Sequence, residues 1–142
     1  MDIDYIHMKN FRQYLDAHIE FAHDPSKNFT IIQGANGAGK TNLVNAITWC
    51  LFGKELHVDS KYKGLPVLNT TVLDESDDEL LEVKVEIQFI QGSGNKLVVT
   101  RSSHFKKGKG GTVNEIASPH SLAAMQMIDR SMTTSKRIQA KT

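Results

Sequence analysis

One stretch constrains this chain more than any other: "FTIIQGANGAGKTNLVNAITWCLFG", Phe29 to Gly53. An apolar run meets a glycine-rich loop, and the loop runs straight into a helical pattern. Gly34, Gly39, Lys40 and Thr41 match G-x-x-x-x-G-K-[ST]. With average residue frequencies, that four-position pattern arises by chance in roughly one chain of this size in 200. Glycines let successive backbone amides converge on an oxyanion where a side chain would block the approach. The following helix adds free N–H groups and the positive end of its dipole. Such a loop cradles phosphate. Lys40 would bridge the β- and γ-phosphates of a nucleotide, and the Thr41 hydroxyl would ligate Mg²⁺.

The flanking segments decide the fold class. "FTII" is apolar without alternation, the pattern of a central strand buried on both faces. Leu43, Ile47 and Leu51 recur every four residues, with Val44 and Cys50 beside them, and Gly53 supplies a helix stop. Ile3 to Met8 and His18 to Phe21 read as strands. In "LEVKVEIQF", Leu81, Val83, Val85, Ile87 and Phe89 alternate with Glu82, Lys84, Glu86 and Gln88, which predicts a strand with one dry face. "QGSGN" turns it back into "KLVVTR" as a hairpin. Lys54 to Thr71 reads as a long loop, Asp74 to Glu79 as an acidic turn, and "KKGKGG" as a basic loop. Ser118 to Arg130 carries a weak helical pattern in Leu122, Met125 and Ile128, and Ser131 to Thr142 is almost free of apolar residues. The expected class is α/β, a P-loop NTPase with a mixed sheet and an antiparallel strand layer. Residues 1–117 form the nucleotide-binding lobe and 118–142 a short helix and tail.

Composition narrows the function classes. The net charge of +1 gives no global electrostatic case for a nucleic-acid partner. The single cysteine, Cys50, cannot close an internal disulfide, which favours a reducing, cytoplasmic setting. The six histidines show no metal-ligand spacing. No apolar run approaches the roughly 20 residues of a membrane span, and no signal peptide is visible.

Taken as a set, "MKNFRQY", the phosphate loop with its helix ending in "LFG", and the hairpin ending "VVTR" resemble the amino-terminal half of an SMC-like ATPase head. The pattern is similar to SbcC-type DNA-repair ATPases, RecF and RecN, and "WCLFGKE" also resembles SbcC-like ATPases of DNA sulfur modification and phage defence. The likeness covers about residues 1 to 105. It implies a nucleotide site made of Arg12, Asn36, Gly37, Ala38, Gly39, Lys40, Thr41 and Asn42, with ATP and Mg²⁺ as cofactors and Thr41 as the metal ligand. Asn42 replaces the more usual serine or threonine, and RecF-like chains also use asparagine. Arg12 matches a family arginine close to the phosphates. The segment around Lys61 to Pro66 lies near the adenine in the family.

The resemblance also implies what this chain must find elsewhere. Family members hydrolyse ATP in a composite site, with a signature motif, an acidic pair and a switch histidine from a carboxy-terminal lobe and a second head. No serine-glycine-glycine signature occurs here, and "TVLDE" has too short an apolar run to be a Walker B strand. No catalytic residue is assigned in this chain. Gln88, Gln91, Gln126 and Gln139 give no supported Q-loop glutamine. The implied partners are a carboxy-terminal ATPase lobe, a second head and DNA, with a nuclease subunit also compatible. The implied function is ATP binding and, within a complete head, ATP hydrolysis on DNA in repair, modification or phage defence. Two other classes stay open: a self-contained small P-loop NTPase or kinase, and a non-catalytic nucleotide-binding regulator. A kinase needs a lid of clustered arginines, and after the loop only Arg101, Arg130 and Arg137 remain. Lys106, Lys107 and Lys109 are candidate DNA-backbone contacts, although such a run is more simply a solvated loop.

Overall fold

The structure is a computed structural model that describes residues 1–56, 66–75, 80–108, 112–116, 124–128 and 136–138. Among the described residues, seven strands and two helices follow the order β1 (Asp2–Phe11), β2 (Tyr14–Glu20), α1 (Lys40–Phe52), α2 (Thr70–Glu75), β3 (Leu80–Ile90), β4 (Lys96–Lys107), β5 (Val113–Ile116), β6 (Ala124–Ile128) and β7 (Lys136–Ile138). The strands make one sheet in the order β2-β1-β3-β4-β6-β7, and β5 also pairs with β4. All pairings between these strands are antiparallel.

Strict alternation in β3 produces the expected two faces. Leu81, Val83, Val85, Ile87 and Phe89 are buried, joined by Ile6 and Met8 from β1 and by Val99 and Phe105 from β4. Helix α1 packs across β1, β3 and β4 on that face. Its buried side consists of Leu43, Asn45, Ala46, Trp49 and Cys50, while Ile47 and Leu51 are partly buried. The buried stripe is therefore rotated from the Leu43–Ile47–Leu51 line, and Val44 is 55% exposed. Cys50 sits against the sheet, its Sγ 3.4 Å from the Val85 carbonyl oxygen. Gly53 ends the helix with φ 71°, and its N–H donates to the Trp49 carbonyl at 2.8 Å. Arg101 Nε, reaching up from β4, donates to the Cys50 carbonyl at 3.0 Å and neutralises the negative end of the helix.

Four sequence expectations change. "FTII" is not a strand, and Phe29, Ile31 and Ile32 are 79%, 67% and 45% exposed. Its apolar pattern requires neighbours on both faces, and among the described residues nothing pairs with it in the sheet. Among the described residues the expected parallel part of the sheet is therefore not present. Of the expected helix at Ser118 to Arg130, the described residues form strand β6 at Ala124–Ile128, with β7 paired outside it, while 118–123 and 129–130 lie outside the described residues. The upper edge of β4 offers a row of unpaired N–H and C=O groups there, and ladder bonds outweigh three weakly spaced apolar residues. The loop and acidic turn around residues 70–75 form α2, because Asn69 caps it: its Oδ1 accepts from Thr71 N at 2.8 Å and Val72 N at 3.3 Å. Lys106 and Lys107 extend β4, and Gly108 N donates to the Thr112 carbonyl at 2.8 Å to close the turn into β5. Lys109, Lys61, Arg130 and Gln139 lie outside the described residues.

Candidate nucleotide-binding site

The loop is built by backbone that only glycine enters cheaply. Gly37 has φ 84° and Gly39 φ 103°. A one-turn closure, Ala38 N to Ala35 O at 3.1 Å, curls the chain through Gly37. Gly39 is the N-cap of α1; Leu43 N makes the first helical bond to its carbonyl at 2.9 Å, and no side chain caps the helix. No acidic residue stands in the first turn. The amides of Lys40, Thr41 and Asn42 thus open the helix without an intrahelical acceptor, the arrangement an anion requires.

Lys40 is exposed and folds back across the loop, donating from Nζ to Gly34 O at 2.6 Å and Ala35 O at 2.8 Å. These are weaker partners for an ammonium than phosphate oxygens. Asn36 to Ala38 and Thr41 are exposed as well, and Gly39 is buried. A Cβ at Gly37 would meet nothing within 4 Å, so positive φ alone selects glycine there. At Gly39 a Cβ would collide with Gln13 Nε2 and come within 2.8 Å of Tyr14 Oη.

The β1–β2 turn closes over this loop, and its sequence explains how. Asn10 and Arg12 both take left-handed backbone, φ 55° and 50°. Asn10 tolerates this and donates from Nδ2 to Glu82 O at 2.8 Å. Phe11 between them is fully buried, its ring 5.6 Å from that of Trp49. The main chain is clamped from the other side by Arg12 N to Val67 O at 2.7 Å and Asn69 N to Asn10 O at 2.9 Å. Arg12 then points its guanidinium at Glu55: Nε to Oε1 is 2.9 Å and an NH2 to Oε2 2.5 Å, with 14% and 8% of the two side chains exposed. Tyr14 Oη donates to Gly39 O at 3.1 Å, and burial pushes its phenol pKa up. Asn42 Nδ2 donates to Gln13 Oε1.

Beside the loop lies a cavity of about 410 Å³, with Arg12, Gln13 and Asn42 on one side and Pro66, Leu68 and Asn69 on another. The structure thus brings Arg12 and Asn42 to the same cavity. Sequence reasoning missed Gln13 and Glu55. Gln13 was legible only as the residue after Arg12, and Glu55 as an acid just beyond the helix stop. Of the remaining candidates, Asp74 and Glu75 are exposed at the end of a helix, α2, and not at the end of a strand as a Walker B pair would be. Gln91 sits in the β3–β4 turn, bonded through its backbone to Asn95 and Gly94. Gln88 donates to Asp4, and Gln126 lies in β6. Arg101, one of three arginines available for a kinase-like lid, is the cap of α1. Among the described residues no group of three His, Cys, Asp or Glu side chains is placed to hold a metal.

A family model described as "AAA domain" matches residues 5–141. The chain belongs to this AAA-domain family. Within the AAA domain, a solved chain from work on the ATP-driven dimerisation and DNA-stimulated activation of SMC ATPases superposes with a TM-score of 0.55 at 23% identity. The superposition covers 82% of this chain and 73% of that one. The fold is that of the amino-terminal lobe of an SMC-like ATPase head. Similar curated proteins carry the name DNA replication and repair protein RecF. The one from Acetivibrio thermocellus is 39% identical over 102 residues, which is 70% of this AAA domain and 26% of that protein. The Clostridium acetobutylicum protein is 33% identical over 113 residues, 75% and 29% respectively. That from Desulfitobacterium hafniense is 41% identical over 58 residues, 41% and 15%. This AAA domain thus spans under a third of the length of these relatives. No helix among the described residues is long and apolar enough to cross a membrane.

Proposed function

We propose that this chain is the Mg-ATP-binding lobe of an SMC-like ATPase that works on DNA, with hydrolysis completed by a carboxy-terminal lobe and a second head. The observation that carries the proposal is the phosphate loop itself. Gly37 and Gly39 are both in left-handed backbone, Lys40 is held on loop carbonyls, and α1 opens without a cap. The residues present fit the cofactor. Loop amides from Asn36 to Asn42 would hold the phosphates, Lys40 would move from Gly34 and Ala35 to the β- and γ-oxygens, and the Thr41 hydroxyl would ligate Mg²⁺. The metal, when bound, neutralises charge between the β- and γ-phosphates. Arg12 lines the cavity edge with its guanidinium paired to Glu55. The cavity beside the loop, walled by Pro66 and Leu68, suits a base and sugar.

The RecF proteins named above act in DNA replication and repair, and that role is the reading we carry to this chain. Phage defence and DNA modification are the other settings of the same machinery, and a nuclease subunit is a compatible partner. The uncovered apolar residues Phe29, Ile31 and Ile32 beside the loop support a second lobe that lays strands against them. A reducing, cytoplasmic setting follows from this role.

Titration of Mg-ATP by calorimetry tests the core of the proposal. Lys40→Ala should weaken binding by about 10- to 100-fold, the worth of a charge-assisted contact. Its circular dichroism should not change, because the side chain is exposed. Wild-type affinity in a folded Lys40→Ala variant rejects the site.

A further inference from the structure

Resting on the phosphate-loop reading above, we infer that Gln13 is a nucleotide-contacting residue: its carboxamide is a side-chain donor for the α-phosphate, oriented by Asn42. Three placements lead there. Gln13 is exposed at the tip of the β1–β2 turn, yet its Nε2 lies directly over Gly39, closer than a Cβ on that glycine would allow. Its Oε1 accepts from Asn42 Nδ2 in the first turn of α1. It also lines the cavity that opens beside the loop, together with Arg12 and Asn42.

The chemistry follows from the orientation. A carboxamide has one acceptor end and one donor end. Asn42 occupies the acceptor, so the N–H₂ end of Gln13 is turned toward the loop and the cavity. An anion bound on the loop then finds two further N–H donors beside those of the backbone. The position selects the phosphate. Lys40 and Thr41 serve the β- and γ-groups and the metal, whereas Asn42 opens toward the cavity, where the α-phosphate and sugar would lie. The turn that carries Gln13 is held firmly enough for the role: Arg12 is tied to Val67 and Glu55, and Tyr14 to the Gly39 carbonyl. The Gln13–Asn42 pair also accounts for an asparagine at a helix position where a hydroxyl is usual. A hydroxyl would serve the phosphate directly but could not reach out to orient a second side chain.

The test compares ATP and ADP binding by calorimetry in the full chain, its Lys40→Ala variant, Gln13→Met and Gln13→Glu. Methionine keeps the bulk and deletes the donor; glutamate puts a charge that repels phosphate at the same point. Gln13→Met should weaken ATP and ADP by the same factor, about tenfold, because both carry an α-phosphate. Gln13→Glu should weaken them further. Melting temperatures are measured alongside, and the methionine variant decides alone if the glutamate one fails to fold. Wild-type affinity for both nucleotides in Gln13→Met overturns the inference, as does a loss confined to ATP, which would place the contact on the γ-phosphate. If instead the wild-type chain binds no nucleotide, or Lys40→Ala binds as wild type does, the phosphate-loop reading falls and the Gln13 assignment with it.

Discussion

Gly39 is the residue on which the site turns. Its φ of 103° lies outside what an L side chain adopts readily, and the Gln13 amide and Tyr14 hydroxyl already occupy the space beside it. In Gly39→Ala the flexible Gln13 side chain can swing away, but the backbone cannot relax without undoing the N-cap of α1. We expect a loss of roughly 1–3 kcal/mol from the strained backbone. That corresponds to a fall in Tm of roughly 3–15 °C by calorimetry. ATP affinity should fall as well, since the displaced Gln13 leaves Asn42 unpaired. An unchanged Tm would show that the loop refolds around alanine. At this scale the sequence was readable wherever the chemistry is local. The glycines, Lys40 and Thr41 carry the proposed phosphate-loop pattern within eight positions. Gln13 and Glu55 do not, because their partners, Asn42 and Arg12, are 29 and 43 residues away. No short-range pattern encodes such a contact.

Among the elements, β3 was the most legible, because alternation leaves only one way to place it. The cross-strand polar groups on its wet face carry a pH dependence. Tyr5 Oη on β1 donates to Glu86 Oε1 at 2.8 Å, Thr100 Oγ1 on β4 to Glu86 Oε2 at 3.3 Å, and Lys84 Nζ lies 3.5 Å away. Burial pushes the Glu86 carboxyl up, but the Tyr5, Lys84 and Thr100 contacts outweigh it and hold it below the ordinary value of 4.5. Burial first, then Glu86, pushes the Tyr5 phenol up to about 12. A depressed carboxylate stabilises the fold above its unfolded pKa and loses that contribution as pH falls through the folded one. A raised phenol does the reverse, contributing below pH 10 and losing it as pH climbs toward about 12. Glu86→Gln should therefore be less stable than wild type at pH 7 in urea denaturation. The gap should close as pH drops below about 4.5. A gap independent of pH would assign the loss to packing. Strand β6 was illegible for the complementary reason. Its pairing is set by the free edge of β4, and its own sequence gives too weak a period to choose strand over helix. Helix α1 was legible in extent but not in facing, because Asn45 and Trp49 turn inward while Val44 stays out.

At the scale of the whole molecule, the exposed apolar residues are what the proposed function has to account for. Phe29 and Ile31 lead into the loop, and Val44 and Phe52 stand on the outer side of α1, exposed by 79%, 67%, 55% and 71%. The run "FTII" reads as a strand buried on both faces, and in this chain it is buried on neither. The apolar pattern alone therefore did not decide the segment, because a buried strand also needs neighbours, and among the described residues none pairs with it. Under the proposed function, a carboxy-terminal lobe provides the missing neighbours. Ile31→Asp distinguishes that role from a stability role. On an exposed residue the change should cost the isolated chain no more than about 0.5 kcal/mol, and calorimetric ATP affinity should hold. The isolated chain should turn ATP over very slowly, because under the proposed function the acidic pair that positions water comes from the carboxy-terminal lobe. Adding the matching carboxy-terminal lobe should raise turnover by at least about two orders of magnitude, as a supplied charge donor does in other P-loop enzymes. The rise should steepen with protein concentration, since two heads must meet. In Ile31→Asp that stimulation should vanish while ATP binding persists, because a buried aspartate without a partner blocks strand addition. Full stimulation in Ile31→Asp would place the docking surface elsewhere. Turnover of about 1 per second or faster by the chain alone, abolished by Lys40→Ala, would make it a complete small enzyme. Asp74 and Glu75 would then be the first carboxylates to replace.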